Sequence, residues 1–358
     1  MQMFLALRDL RHAKLKFGLI SLIIFLIVFL VLFITGLAAG LASDNGAAIS
    51  ESPASGYVLQ KGAENRFSRS TLTKTKAQQL AKKFKQATPL TIQQGTIQRA
   101  KDAAKKTDMA YFVVKQGSFI APKSVSGQTL NTTGVVVSDK LKASGYRLGQ
   151  KFKDSQSGVT LKIIGFTTAM TYSHTPVVYV TPNQWQKMMP QETQTVSALA
   201  VKQTTTTKPK LAGANLVSKE AIIQNVPGYS AEQGSLDMMI AFLYIISVVV
   251  LAVFFYVITI QKIREFGVLK ALGTKTSYLA RYLIGEIGVV ALLAVIIADI
   301  VVAALAQVMP AAMPFIISGQ IILTTSLIFV VVAVLSAVVS LVKVARVDPN
   351  TAIGGAGE

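Results

Sequence analysis

The sequence predicts an integral membrane α-helical protein with four transmembrane helices in a one-plus-three arrangement, and an α+β extracytoplasmic domain between helices one and two. Only 15% of its 358 residues are charged and 51% are hydrophobic, whereas soluble domains carry about 25% charged residues. The apolar residues form long uncharged runs, and one mixed polar segment separates the first run from the others. These observations exclude an ordinary soluble domain.

Four spans follow from the uncharged runs. A span needs about 20 apolar residues, and the prolines of "MPAAMP" (309–314) divide the longest run, because proline breaks a helix. We therefore predict spans at 17–41, 237–260, 283–307 and 319–342. The predicted domains are an amphipathic cytoplasmic entry helix (1–16), a first transmembrane helix (17–43), an extracytoplasmic domain (44–232) and a region (233–358) with the other three spans.

The N-terminus allows two interpretations. A basic start, an apolar run and the small-residue stretch "GLAAGLAS" are typical of a cleaved signal peptide. The apolar run is longer than the roughly 7–15 residues of a signal h-region, which favours an uncleaved span. The chain contains no cysteine, so disulfides, thiolate metal sites and thiol catalysis are excluded.

Positive charges in short loops set the orientation of a membrane protein. They lie before span one, between spans two and three, and after span four, at Arg8, Arg11, Lys14, Lys16, Lys262, Arg264, Lys270, Lys275, Arg281, Lys343 and Arg346. We therefore predict a multi-pass protein of the cell (plasma) membrane with both termini in the cytoplasm. The segment 44–232 is then outside, although it holds 25 lysines and arginines against ten acids, because long domains translocate largely regardless of charge.

The external segment has the pattern of a compact α+β domain. The stretch "KTKAQQLAKKFKQ" (74–86) predicts a helix with Ala77, Leu80, Ala81 and Phe84 on one face. "GVVVSDKLKASG" predicts a strand and a short helix capped by Ser138 and ended by Gly145. "MAYFVVKQ", "GQKFKD", "GVTLKIIGF" and "TPVVYV" predict strands, and Thr181 with Pro182 starts another helix. The basic surface suits anionic partners such as wall polymers or lipid head groups, or is a solvated surface.

The sequence offers no enzyme constellation. His12 and His174 are the only histidines, so a histidine triad or multi-histidine metal site cannot form within one chain. The P-loop pattern GxxxxGK[ST] is absent. His174 fits a loop histidine before a strand, and a ligand contact is the alternative. We predict a non-enzymatic subunit that has no intrinsic cofactor and does not bind nucleic acid.

Two motifs carry a family resemblance. The first is "REFGVLKALG" (264–273) between spans two and three, and the second is "ARVDPNTAIGG" near the C-terminus. With the one-plus-three topology, they resemble the MacB/FtsX-like permease family of ABC transporters. The resemblance implies a permease driven by a separate ATPase, which binds ATP and Mg²⁺, and a complex of two permease copies with two ATPase copies.

The segment 263–274 is the predicted coupling helix. Its first face would consist of Ile263, Phe266, Leu269 and Lys270, with Arg264 and Glu265 on another. Such a helix can insert into a groove on a cytoplasmic partner, and the alternative is a helix that rests on the lipid bilayer. The candidate coupling residues are Arg264, Glu265, Phe266, Gly267, Leu269, Lys270 and Gly273.

The resemblance leaves three classes of function open, because the family includes haem exporters, peptide or antibiotic exporters and mechanotransmission permeases that regulate a wall hydrolase. The segment "TYSHTPVVYVTPNQW" (171–185) is similar to HrtB-type haem-exporting permeases, which implies haem as the transported ligand. Glu232 and Met239 share a helix face, and methionine is an axial ligand in haem proteins. Alternatively, the methionines are apolar filler. The candidate haem contacts are Glu232, Met239, Met238, Tyr229, Met309 and Met313.

Two further acids lie within or near span three. Glu286 is near its cytoplasmic end and Asp299 is inside it. Carboxylates inside a bilayer are costly and usually face protein or water. We expect structural partners across the helix bundle for both, with a substrate contact as the alternative.

Overall fold

The computed structural model describes residues 14–99, 102–202, 211–310 and 313–345. It consists of two compact units: a membrane unit (Met1–Ala39, Ser235–Met309 and Phe315–Glu358) and an external unit (Gly40–Gly234 and Pro310–Pro314). Residues 1–13 of the predicted entry helix and the C-terminal motif from 346 onward lie outside the described residues.

Among the described residues, four helices are long and apolar enough to cross a membrane, which confirms the predicted fold class. They are span one (Lys14–Ser50), span two (Tyr229–Gln261), span three (Thr276–Val308) and span four (Gly319–Ala345). A short connecting helix (Ile263–Ala271) joins spans two and three. The helix that contains span one extends beyond the predicted transmembrane segment (17–43). The helix continues to Ser50 because no proline interrupts it and because Ala48 and Ile49 pack in the core of the external unit.

One stripe of each span forms the core of the membrane unit. On span one the buried residues recur every three or four positions, at Phe17, Ile20, Ile24, Val28 and Val31, which is the period of a helix face. Spans three and four contribute small residues, which let helix backbones approach closely in a membrane: Ala291, Ala294, Ala298, Ala333 and Ala337.

Span one has one especially close neighbour. A Cβ atom at Gly36 would lie 2.6 Å from the ring of Phe315, and the backbone N–H of Ile316 donates to the Gly36 carbonyl over 3.0 Å. Only glycine leaves room for this approach, so Gly36 fixes where the segment before span four meets span one.

The external unit is built on an 11-stranded mixed sheet of order β13-β1-β12-β3-β4-β10-β6-β8-β5, with β7 paired to β3 and β8, and β9 to β10. The pairs β4–β10 and β6–β8 are parallel, and β2 and β11 form a separate two-stranded sheet. The strands are β1 (Gly56–Gln60), β2 (Leu72–Thr73), β3 (Gln86–Arg99), β4 (Asp102–Val114), β5 (Ser126–Gly127), β6 (Val135–Ser138), β7 (Lys151–Asp154), β8 (Thr160–Thr167), β9 (Thr171–Tyr172), β10 (Thr175–Val180), β11 (Thr195–Val196), β12 (Ala198–Lys202) and β13 (Ala214–Val217).

The central strands are buried on both faces. On β4, Ala110, Phe112 and Val114 belong to one apolar cluster, whereas Met109 and Tyr111 belong to a second cluster on the other face. This explains why "MAYFVV" is a continuous apolar run rather than an alternating one. The long strand β3 and the strands β1, β12 and β13 are absent from the sequence-based prediction. Their patterns contain too many polar residues or are too short to separate from loops.

Four helices complete the external unit: α1 (Lys74–Ala81), α2 (Lys140–Ala143), α3 (Pro182–Met188) and α4 (Lys219–Gln224). There are also 3-10 turns at Phe67–Arg69 and Pro190–Gln194. Thr181 caps α3, as predicted, and it also forms a capping box with Gln184. The predicted cap Ser138 is wrong, because Asp139 occupies the N-cap position of α2 and Ser138 is the last residue of β6. Phe84 lies beyond the end of α1, although it packs in the same apolar cluster.

Candidate functional site

The external unit contains a three-residue polar cluster formed by Asn45, His174 and Glu232. Asn45 is on span one, His174 is in the turn between β9 and β10, and Glu232 is in the first turn of span two. The Asn45 amide Nδ2 donates to Glu232 Oε2 over 2.7 Å and lies 2.8 Å from His174 Nε2. His174 Nε2 is 3.1 Å from the same carboxylate oxygen. The fold therefore gathers three segments that are far apart in the sequence.

The turn that presents His174 has an unusual backbone. Ser173 and His174 have φ of 50° and 59°, and two successive left-handed residues in a hairpin turn normally require Asn-Gly or Gly-Gly. Span one secures this turn, because the N–H groups of Ser173 and His174 donate to the carbonyls of Asn45 (2.9 Å) and Asp44 (3.1 Å). Such strain persists only where the surroundings hold it in place, and here it directs the imidazole to Glu232.

The hydrogen-bonding pattern leaves part of the cluster available. In either tautomer of His174, the Asn45 amide donates to Oε2 of Glu232. A proton on Nε2 makes His174 a second donor to Oε2, whereas a proton on Nδ1 makes Nε2 an acceptor for the Asn45 amide. Among the described residues, all hydrogen bonds of this carboxylate go to Oε2, and its side chain is 27% exposed. The Asn45 Oδ1 atom is buried and has no partner among the described residues. The cluster therefore offers an oriented carboxylate to a ligand.

The remaining candidate haem contacts are distributed over both units. Tyr229 packs against the core of the external unit, and Met313 is half-exposed in the segment Pro310–Pro314. Met238 and Met239 are exposed on span two, and Met309 caps the end of span three, all three in the membrane unit. The described residues contain no group of three or more histidines and acids that could hold a metal ion. Asn45 was missed by the sequence analysis, because no local pattern marks it.

The connecting helix has two different faces. Phe266 and Gly267 are buried in the membrane unit, and Phe266 belongs to its apolar core. Leu269 lies on the same side of the helix as Phe266, as predicted, but it is 39% exposed, and Val268 and Leu272 are exposed as well. At roughly 100° per residue, Val268 and Leu272 lie about 160° and 120° from Phe266, whereas Leu269 lies about 60° from it, at the edge of the buried side. The polar residues Arg264 and Glu265 are exposed, and Ile263 and Lys270 are half-buried.

The end of the connecting helix is determined by Gly273. Its φ is +88°, its N–H donates to the Lys270 carbonyl over 2.9 Å, and the N–H of Thr274 donates to the Leu269 carbonyl over 3.0 Å. This is a Schellman motif, in which glycine adopts the left-handed conformation after the last helical turn. Gly273, which the sequence analysis named as a candidate coupling residue, therefore ends the connecting helix.

Both acids of span three have structural partners, as expected. Asp299 accepts a hydrogen bond of 2.9 Å from Ser326 on span four. Glu286 forms a buried ion pair with Lys262, the residue between span two and the connecting helix. The sequence analysis counted Lys262 only as a loop charge. Its place directly after an uncharged apolar run is the signal that could have identified it as buried.

Two family profiles match this chain. The profile of the MacB-like periplasmic core domain matches residues 17–218. The profile of the FtsX-like permease C-terminal region matches residues 238–349. The two matches cover the connecting helix and most of the four spans and the external unit, and they leave residues 219–237 between them unmatched.

Relatives in two staphylococci are similar along their whole length. A protein of Staphylococcus epidermidis named as hemin transport system permease protein HrtB is 33% identical over 354 residues, 99% of each chain. A protein of Staphylococcus haemolyticus with the same name is 30% identical over 357 residues, again 99% of each chain. The crystal structure of the periplasmic region of MacB from Actinobacillus actinomycetemcomitans aligns with 49% of this chain and 95% of its own, at 13% identity and a TM-score of 0.37.

Proposed function

The chain belongs to the MacB/FtsX-like family of ABC transporter permeases, and we propose that it is the transport subunit of an exporter that moves haem from the bilayer to the outside. The observation that carries this proposal is the 33% identity, along 99% of both chains, with a permease named for a hemin transport system. Haem is the cargo in this proposal, and the chain needs no resident cofactor.

A separate ATPase would supply the energy through the connecting helix. Phe266 anchors this helix in the membrane unit, and the exposed surface of the helix presents Val268, Leu269 and Leu272 together with the charge of Glu265. An amphipathic helix that presents apolar side chains at helical spacing fits a groove on a partner. The chain has no P-loop sequence, so both ATP–Mg²⁺ sites would belong to two ATPase copies, which are matched by a dimer of this chain.

The proposed orientation of the chain in the membrane follows from the positions of its positive charges. The connecting helix, the N-terminal segment and the C-terminal segment all carry lysine and arginine in short stretches, which favours the cytoplasmic side. Both termini and the ATPase would then be cytoplasmic, and the external unit would face outward from the cell membrane.

Glu232 is the first proposed iron ligand, because Asn45 and His174 orient its carboxylate and leave Oε1 for a ligand. Met239 is the second. The two lie on one helix, about 10 Å apart along its axis at roughly 1.5 Å per residue. Two groups on one face of one helix cannot reach opposite faces of a single haem, so we assign the two axial positions to two copies of the chain. Further proposed haem contacts are Met238, Tyr229, Met309 and Met313.

Haem titration of the full-length permease with its ATPase in lipid nanodiscs tests the cargo. We expect a Soret shift and haem-stimulated ATP hydrolysis for the unmodified chain, and at least a tenfold loss of haem affinity in the Glu232→Gln, Met239→Leu double variant. Glu220→Gln is the matched control, because Glu220 is exposed in the external unit outside the polar cluster. A complex whose spectrum and ATPase rate both ignore haem would exclude the haem proposal. Retained affinity in the double variant would exclude only the ligand assignment.

Charge placed on the exposed face of the connecting helix tests the coupling. Leu269→Asp should abolish co-purification and stimulation of the ATPase, because a carboxylate cannot enter an apolar groove without losing hydration. Glu265→Lys, at a second exposed position of this helix, should also uncouple the ATPase while the spans remain folded. Leu148→Asp makes the same change at an exposed leucine of the external unit and should leave assembly unchanged. Normal assembly of Leu269→Asp would contradict the docking role.

A further inference from the structure

Lys262 occupies the junction between span two and the connecting helix. It follows the last residue of span two, Gln261, and precedes Ile263, with φ of −92° and ψ of 0°. Its N–H is 3.2 Å from the carbonyls of both Ile258 and Thr259, and its own carbonyl accepts from Phe266 over 2.9 Å. Backbone hydrogen bonds therefore continue from span two through Lys262 into the connecting helix, without an intervening loop.

The side chain of Lys262 turns into the membrane unit and meets Glu286 of span three. Its Nζ lies 2.7 Å from both carboxylate oxygens, and the side chains are only 8% and 1% exposed. Two aromatic rings flank the ammonium group, with centroids 5.9 Å away for Phe17 of span one and 5.1 Å away for Tyr282 of span three. Side chains of spans one and three therefore surround one buried ammonium group, which lies at the end of span two.

A buried ion pair adds little net stability compared with well-packed apolar residues of similar volume. An ion pair differs from apolar packing in how strictly it fixes geometry. Two short charge-assisted hydrogen bonds to one carboxylate fix distance and direction, whereas apolar side chains can slide past one another. Separating the charges inside a low-dielectric bundle is also strongly unfavourable. A displacement of the connecting helix would therefore carry span three with it.

We propose that Lys262 and Glu286 are positioning residues that form a rigid joint, through which displacement of the connecting helix is transmitted to span three. This rests on the proposed docking of the ATPase on that helix. Phe266 adds an apolar contact region, since it shares one buried cluster with Leu283 and Ile287 on either side of Glu286. The joint neither contacts cargo nor binds the ATPase in this proposal.

The test uses the absence of cysteine in the chain. A single Val308→Cys substitution gives one labelling site at the far end of span three, where the side chain is 79% exposed. The spectrum of a spin label at this site is compared in the assembled complex with and without trapped ATP. The joint variant is Lys262→Met, Glu286→Met, which removes both charges of the pair together, rather than leaving one of them without the other. Lys262→Arg is the conservative variant, because arginine also binds a carboxylate through two hydrogen bonds.

We expect the unmodified joint and Lys262→Arg to show an ATP-dependent change in label mobility. The double methionine variant should assemble with the ATPase and lose most of that change, because the two helices would no longer be held at a fixed distance and direction. A full ATP-dependent change in the double variant would overturn the proposal, as would loss of assembly, which would make the pair part of the docking surface. Because the readout needs no haem, it is independent of the cargo, and Leu269→Asp tests docking separately.

Discussion

The substitution Tyr111→Phe isolates the contribution of one buried hydroxyl in the external unit. Tyr111 Oη donates to Oδ1 of Asp154 over 2.9 Å, and this carboxylate is 1% exposed. Ser157 satisfies the other carboxylate oxygen through its N–H (2.6 Å) and its hydroxyl (2.7 Å). Burial, reinforced by the charge of Asp154, raises the pKa of Tyr111 far above its usual value, so the hydroxyl remains a donor throughout the working pH range.

Removing this donor leaves a buried carboxylate oxygen unsatisfied. Hydrogen bonds to charged groups contribute about 1.5–3 kcal/mol, so we expect Tyr111→Phe to lower the free energy of unfolding by about 2 kcal/mol. Tyr146 is a control in the same apolar cluster. Its hydroxyl is buried and has no hydrogen-bond partner among the described residues, and the Arg99 guanidinium, 5.2 Å from the ring centroid, would also stack on phenylalanine. Tyr146→Phe should therefore be neutral or stabilising.

Urea denaturation of the detergent-solubilised full chain measures both variants. The chain has one tryptophan, Trp185, whose ring centroid lies 5.7 Å from that of Tyr111. Its fluorescence therefore reports on the external unit and is silent for the spans. Equal midpoint shifts in the two variants, or a larger loss for Tyr146→Phe, would refute the reasoning that hydrogen-bond satisfaction sets the difference.

Three further predictions concern stability. Burial raises the pKa of Tyr57 and of Tyr172 from 10 to about 12. Because the folded state holds these protons more tightly than the unfolded state, their contribution to stability is fully present below about pH 10 and is lost as the pH rises toward about 12. Alkaline unfolding followed by tryptophan fluorescence measures this loss. Gly36→Leu should cost about 1–3 kcal/mol through overlap with Phe315, measured as a lower melting temperature in detergent that Phe315→Ala partly restores. Thr181→Ala removes a capping box and should cost about 1 kcal/mol, with Thr181→Ser retaining most of the stability in urea denaturation.

Local sequence patterns were reliable where one physical requirement dominates. The four spans follow from length and uncharged composition alone, and the end of the connecting helix follows from Gly273, whose positive φ favours glycine. The capping box at Thr181 is another local motif whose geometry is contained within four residues. In contrast, how deeply each residue of the connecting helix is buried depends on what lies beside it, so Phe266 is buried whereas Leu269, on the same side, is 39% exposed.

The candidate ligand site also combines a residue that the sequence analysis identified with partners that only the fold brings to it. Glu232 was selected from its position before an apolar run, but its partners are 58 residues away at His174 and 187 residues away at Asn45. No short pattern relates three segments at such separations. The strained turn at Ser173 and His174 is equally invisible in the sequence, because these residue types do not predict positive φ.

By itself, the sequence determined the membrane class, the one-plus-three order of the spans and the absence of a P-loop, because these depend on composition and on short contiguous patterns. Only the tertiary structure decided which polar groups are paired inside the molecule. Lys262 and Glu286 lie 24 residues apart on different helices, and helix packing brings their charges within 2.7 Å. Burial then makes this pairing obligatory, since neither charge is stable alone in an apolar bundle.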